Sequence, residues 1–166
     1  MQWEVLTAQK PIKSNKMIKE LNRFLHTEIP ATQFMQLKIL EFKQKNLLST
    51  APIQPNINDK NTFFGGSSSS LMIICGWSLI KLLCKQSKVE ADIVIVSNQA
   101  RWNQPLKTDS KIKSELQSDW KPSSILDKLK QKKSTLVSVV SKLYDLDKLL
   151  CAEMKAKYFI IPKAGT

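Results

Sequence analysis

Phe63-Phe64-Gly65-Gly66-Ser67-Ser68-Ser69-Ser70 runs without a polar spacer into Leu71-Met72-Ile73-Ile74-Cys75-Gly76-Trp77-Ser78-Leu79-Ile80-Lys81-Leu82-Leu83-Cys84. This stretch decides the fold. Gly-Gly-Ser sequence taken alone reads as a flexible linker, but no second turn signal separates these serines from the apolar run. The run reads instead as a core helix that is apolar nearly all round, as a helix wrapped by a sheet must be. A membrane span is the weaker reading, because the run stops short of the roughly 20 residues a bilayer requires and Lys81 interrupts it.

Two adjacent glycines let the main chain approach a ligand closely and take up angles closed to other residues. They read as a turn that feeds the helix, whose first N–H groups lack intrahelical partners and point at whatever lies there. A carbonyl oxygen in that spot is polarised without a charged side chain, the requirement of acyl transfer. The Gly66 N–H, helped by Gly65 or Ser67, is the candidate donor, with Phe64 and Ser67 as substrate contacts. In the approach, Asn58 orients a water or a carbonyl, or else closes an Asx-turn. Asp59 is the local carboxylate, hence the candidate base, or else a solvated turn residue.

The chain has 166 residues, the length of one domain with a core that needs neither disulfides nor metal. Cys75, Cys84 and Cys151 form an odd set in apolar contexts without metal-ligand spacing, which predicts reduced core cysteines. With no charged-then-apolar pattern near Met1 to suggest a leader, the expected location is the cytoplasm. A net charge of +12 attracts polyanions: nucleic acid, coenzyme A phosphates or acidic carrier proteins. Arg101, Lys107, Lys111 and Lys113 cluster by strand position as contacts for a pantetheine diphosphate, unless they are merely a solvated face. Trp102 stacks on an adenine or a nucleobase, or belongs to an interface.

Residues 14–25 carry Ile18, Leu21 and Leu25 at helical spacing, and Pro30 bars extension of that helix. Residues 36–43 alternate as an edge strand. Pro52 and Pro55 make the path to the glycines rigid and irregular. Beyond the core helix, Ile93-Val94-Ile95-Val96 predicts a central strand over 91–101, and residues 110–117 a half-exposed one. Pro122 opens a helical turn, with Ser124 and Asp127 at capping-box spacing. Residues 134–144 and 150–161 read as two more strands, with Leu150, Ala152, Met154, Ala156, Tyr158 and Ile160 facing inward. The class is α+β: an antiparallel sheet wrapped around one long central helix, with an extra N-terminal helix. Residues 1–166 make a single domain, 1–32 a helical extension and 33–162 the core.

The segment from Ala51 through Asn56, Asn58, Asn61, Thr62 and Phe63-Phe64-Gly65-Gly66-Ser67, together with Cys75-Gly76-Trp77 and Ala91-Asp92-Ile93-Val94, resembles the bacterial YiiD C-terminal-domain type of hotdog-fold thioesterase family. The resemblance covers roughly residues 34–162. It implies a homodimer or higher homo-oligomer with sites at the subunit interface and acyl-thioester chemistry at the N-terminus of the core helix. Two positions depart from that family: Asn61 stands where it usually has Gly, and Asp59 where it commonly has His.

Residues 67–85 hold no carboxylate, and His26 is the single histidine. A Ser-His-Asp triad around the glycines, a helix-borne acid and a histidine-dependent dehydratase are therefore poor fits. Cys75 and Cys84 read as packing, since burial opposes thiolate formation. The expectation is hydrolysis of acyl-CoA or acyl carrier protein thioesters. No cofactor beyond the coenzyme A or phosphopantetheine of the substrate is called for, and no metal. A non-catalytic acyl-CoA or acyl-carrier-protein binding module is the alternative, and a nucleic-acid-associated basic protein is the weakest reading.

Overall fold

In the computed structural model, which describes residues 11–163, the apolar run forms α3 (Gly65–Gln86). Leu71, Met72, Cys75, Leu79 and Leu82 lose all contact with solvent. At 22 residues, α3 is long and apolar enough to cross a bilayer, so the argument from length fails. Its burial against a sheet is what makes it a core helix.

That sheet is antiparallel, with six strands: β1 (Lys38–Lys43), β2 (Asn46–Ala51), β3 (Ala91–Trp102), β4 (Ser110–Leu116), β5 (Thr135–Tyr144) and β6 (Leu150–Pro162). Their order in space is β1-β2-β4-β5-β6-β3. Three further α-helices, α1 (Pro11–Glu28), α2 (Pro30–Phe34) and α4 (Pro122–Lys130), and one short 3-10 helix (Gln54–Asn56) complete the elements of the described residues. The inward set expected for β6 is seen from Ala152 on, with Ala152, Met154, Ala156, Tyr158 and Ile160 buried and Lys155 and Lys157 exposed, whereas Leu150 and Glu153 are half-buried and Cys151 is buried beside Ala152. In β4, Ile112, Ser114 and Leu116 turn inward, as their alternation requires.

Four expectations need correction. Residues 36–43 supply only half of a hairpin: β2 follows after a tight turn in which Gln44 takes φ 51°. Its Asn46-Leu47-Leu48-Ser49-Thr50-Ala51 pattern alternates apolar and small polar residues, and two of the inward ones are serine and alanine, a weak hydrophobic signal. β3 is an edge strand rather than a central one. Its β-branched run has strand character, but Val94, Ile95 and Val96 are exposed. Gly65 and Gly66 belong to the first turn of α3 instead of a turn before it, and no described glycine has positive φ. Finally, Lys121 occupies the N-cap of α4 and no side chain caps that helix, so the Ser124–Asp127 capping box does not form.

A polar seam lies between α3 and the sheet. The Tyr158 hydroxyl donates to the Ile73 carbonyl at 2.7 Å, and Ser141 Oγ donates to the Met72 carbonyl at 3.1 Å. Ser49 Oγ meets Cys75 Sγ at 2.9 Å, and Ser114 meets Ser141 across neighbouring strands at 2.6 Å. Gly76 makes the seam possible, since a Cβ there would overlap the Tyr158 hydroxyl and stand 3.0 Å from its ring carbon Cζ.

The two sheet edges are finished differently. Along β1, the Asn22 amide of α1 imitates a strand: its Nδ2 donates to Ile39 O at 2.9 Å and its Oδ1 accepts from Ile39 N at 2.8 Å. His26 Nε2 reaches Leu37 O at 2.8 Å. Along β3 the Trp77 indole N–H of α3 donates to Ile93 O at 3.0 Å near the start of the strand, and Val94, Ile95 and Val96 beyond it are exposed. Edges left open invite pairing, so Asn22→Leu is expected to strip two backbone groups of partners and lower stability by about 1–3 kcal/mol. Urea unfolding checks the loss, and light scattering should report association absent from the parent protein.

Candidate active site

The path into α3 is held by asparagines. Asn56 is buried, and its Nδ2 donates to the carbonyls of Met35 at 2.9 Å and Pro52 at 2.8 Å. Its own carbonyl accepts from Phe64 N at 2.7 Å, which docks the last residue before the helix. Asn58 closes the next loop: Oδ1 accepts from Lys60 N at 2.9 Å and Thr62 N at 3.0 Å, and Nδ2 donates to Thr62 Oγ1 at 3.0 Å. These are the bonds of an Asx-type turn. Asn61 adopts φ 55°, the left-handed conformation in which Asn is the tolerated stand-in for Gly.

Phe63 N then bonds Leu106 O at 2.8 Å, fixing the loop to the segment beyond β3. Phe64 is the N-cap of α3 and offers no side-chain cap, and the first bond of the helix runs from Ser68 N to Phe64 O at 3.0 Å. The N–H groups of Gly65, Gly66 and Ser67 therefore have no carbonyl one turn back to receive them. The positive end of a 22-residue helix is thus presented uncapped.

A cleft of about 380 Å³ opens there, lined by Gly65, Ser68, Trp102, Leu106, Leu143 and Cys151 among others. Trp102, the last residue of β3, donates its indole N–H to Ser68 Oγ at 2.9 Å, and Ser68 Oγ donates to Gly65 O at 2.8 Å. This relay ties the end of the edge strand to the first turn of α3. Gly65 backs directly on the ring, where an added Cβ would meet Trp102 Nε1 at 3.8 Å. At Gly66 an added Cβ would overlap the Phe64 ring.

Of the residues singled out from sequence, Gly65 and Trp102 line the cleft together, while Gly66, Ser67 and Phe64 sit beside it on the same turn. Asn58 spends its amide within its own loop. Asp59 is 79 % exposed and pairs with Lys60 at 3.0 Å. Arg101 and Lys107 are exposed on either side of the 102–106 segment that forms a cleft wall. His26 is remote in role, bonded to the edge of β1. The sequence reading missed Ser68, which looked like any of four serines, and Asn56, whose Oδ1 is buried without a partner. Cys151, expected as a core cysteine, is buried and also lines the cleft, together with Leu143.

No thiol is poised for nucleophilic attack. Burial pushes Cys75 up to about 12 and Cys84 up to about 11, and it also raises Cys151 at the cleft. What the site offers is a set of fixed main-chain donors beside an apolar-floored cleft, suited to a polarised carbonyl with an attached chain.

Comparison with known proteins shows the family and the fold. Residues 18–162 match the family described as "Putative thioesterase (yiiD_Cterm)". A "putative thioesterase" from Shewanella oneidensis is 28 % identical, superposes with a TM-score of 0.82, and is matched over 89 % of this chain and 99 % of its own. A protein from Chlorobaculum tepidum described as of unknown function has 22 % identity and the same TM-score of 0.82, over 90 % and 97 %. A thioesterase from Haemophilus influenzae shares the fold at 13 % identity and a TM-score of 0.70, over 87 % and 90 %. A sheet wrapped on one central helix, with the asparagine loop and glycine-led helix start inside the matched span, places the chain in the YiiD C-terminal thioesterase family of the hotdog fold.

Proposed function

We propose that this protein hydrolyses acyl thioesters of coenzyme A or acyl carrier protein, with the thioester carbonyl polarised at the start of α3. The observation that carries the reading is the uncapped first turn, where Gly65, Gly66 and Ser67 have no helical acceptors. A thioester oxygen accepting from these N–H groups gains charge as water adds to the carbonyl carbon, and the donors are already in place for that charge. The tetrahedral intermediate then expels the thiolate of the pantetheine arm. The acyl chain occupies the cleft against Leu106 and Leu143, and Trp102 forms its wall. No cofactor of the protein's own is required, because the coenzyme or phosphopantetheine arrives with the substrate. Three cysteines without disulfides support a cytoplasmic setting.

The proposed assembly is a homodimer paired along β3. That edge is 12 residues long and exposes Val94, Ile95 and Val96, an apolar stretch unsuited to water. Trp102 at its end would bring each subunit's cleft to the interface. Val96, at 60 % exposure, is a safe position to probe. Sedimentation should show a dimer at micromolar concentration that Val96→Lys dissociates; a parent protein that is monomeric and active would end this reading.

Replacing Gly66 with Val places a branched side chain against the Phe64 ring, on the turn that carries the donors. Acyl-CoA hydrolysis is expected to fall by about 10² to 10³, while circular dichroism and Tm stay near the parent values. Normal kinetics in a folded Gly66→Val protein would remove the polarising role of the turn.

A non-catalytic binding module is the second reading, favoured by one observation: the loop's carboxylate, Asp59, faces solvent beside Lys60. Asn58→Ala frees the N–H groups of Lys60 and Thr62 and should lower stability by about 1–3 kcal/mol, read by urea unfolding, with Asp59→Asn changing little. Loss of about 10² to 10⁴ on Asp59→Asn, together with the acid limb of the pH profile, would make Asp59 the general base. If neither variant slows turnover even about tenfold, the loop takes no part in the chemistry; a parent protein that binds acyl-CoA without turning it over makes the binding-module reading the right one.

A further inference from the structure

We infer that the outer face of the sheet is a docking surface for an acidic protein, the carrier that delivers the thioester. The inference rests on the hydrolase reading for the identity of that carrier, and on the sheet register for the surface itself.

Strand pairing lines up the outward residues in rows. Lys113 on β4 is paired with Lys142 on β5, Lys142 with Glu153 on β6, and Glu153 with Arg101 on β3. In the neighbouring rows Lys111 faces Tyr144, Lys155 lies opposite Val140, and Lys157 opposite Ser138. Six cations thus share this part of the face with two carboxylates, Glu115 and Glu153, of which only Glu115 forms an ion pair, with Lys113 at 3.4 Å. Two lysines directly opposite one another on adjacent strands are destabilising. An anionic partner relieves that repulsion.

The register also says which kind of anion. Leu136, Phe159 and Val94 are mutual partners on β5, β6 and β3, all three exposed, and Ile161 follows on β6. This apolar row borders the lysine rows, giving one face an apolar part and a cationic part. Such a surface suits a protein interface, in which an apolar centre is closed by a charged rim. Nucleic acid would leave the apolar row uncovered, and a second copy of this chain would set lysines against lysines. An acidic protein matches both parts.

The face also leads to the cleft. Arg101 ends the lysine row, and the next residue, Trp102, turns inward to the cleft wall. Neighbouring strands are about 4.8 Å apart, so Lys113 and Arg101, three strand spacings apart, span roughly 14 Å. A free coenzyme entering at Trp102 meets the near end of that row, whereas a folded carrier covers the whole of it.

The test compares one acyl group on two carriers, octanoyl-CoA and octanoyl acyl carrier protein, using the full chain and its Lys142→Glu/Lys155→Glu/Lys157→Glu variant. The expected result is a KM for the protein-borne substrate raised about tenfold or more, an unchanged kcat, and unchanged kinetics on octanoyl-CoA. The Lys→Gln version of the same triple should give an intermediate KM, and it is read alone if the Glu variant fails to fold. Raising ionic strength from about 0.01 to about 0.15 M, where the Debye length falls from about 30 to about 8 Å, should raise the parent's KM for the protein-borne substrate and leave the variant's unaltered. Equal losses on both substrates, or none on either, overturn the docking face. So does a variant that loses binding to a short DNA duplex or an anionic vesicle while it holds the carrier normally. If neither thioester is hydrolysed, the hydrolase reading fails separately. Fluorescence anisotropy of labelled acyl carrier protein then decides the surface: salt-sensitive binding lost in the variant sustains it, and no binding overturns it.

Discussion

The hydroxyl of Tyr158 reaching over Gly76 to the Ile73 carbonyl sets the separation between helix and sheet, and most of the structure follows from that separation. A helix on a sheet face is normally held off by large side chains. Here serines on β2, β4 and β5 and the missing Cβ of Gly76 let α3 settle close, and each buried hydroxyl in the seam must then find a partner or cost about 1–3 kcal/mol. Ser49, Ser114, Ser141 and Tyr158 do, while Ser78 Oγ on α3 is buried without one. Such a seam specifies one rotation and one axial position of α3, where an all-aliphatic contact would accept several. The axial position matters most, because it decides where the first turn of the helix emerges.

At that end the chain uses side-chain amides to control its own backbone. Asn56 holds the N-cap residue by its main-chain carbonyl, Asn58 folds the preceding loop onto itself, and Asn22 performs the same service far away on the β1 edge. Each supplies both a donor and an acceptor on a short side chain, so each can replace a missing strand or turn partner. Closing β1 and leaving most of β3 uncovered makes the two edges of the sheet unlike. That edge ends at Trp102, so it runs up to the cleft wall.

The fold was legible in the sequence wherever burial follows a period. Ile112, Ser114 and Leu116 in β4, and Ala152 through Ile160 in β6, alternate without error because one face of each meets α3 and the other meets solvent. Legibility failed where apolar character had another cause. Val94, Ile95 and Val96 carry the signal of a central strand, yet they lie on an edge. The misreading of Gly65-Gly66 has a different origin: glycine's freedom suggested a special backbone angle, whereas the constraint is space beside Phe64 and Trp102 within an ordinary helical turn. Of the site, the helix start could be read because its composition is unusual. Ser68 and Asn56 could not, since a serine among serines and an asparagine among asparagines acquire roles only from what the fold puts next to them.

A site whose donors are main-chain N–H groups behaves differently from one built on side chains. Its electrostatics do not titrate, so the pH dependence of any chemistry there comes from the water or the leaving thiol and from a base outside the first turn. It is also indifferent to the identity of the acyl group, since every thioester presents the same oxygen. Selection must then come from the surroundings: from the cleft wall, where Trp102 is held by Ser68 and can move only if that bond breaks, and from whatever brings the thioester to the rim. The chain concentrates large side chains at the first of these places and charge at the second. The turn at Gly65 and Gly66 thus carries main-chain donors only, and every side chain that differs in size or charge lies around it.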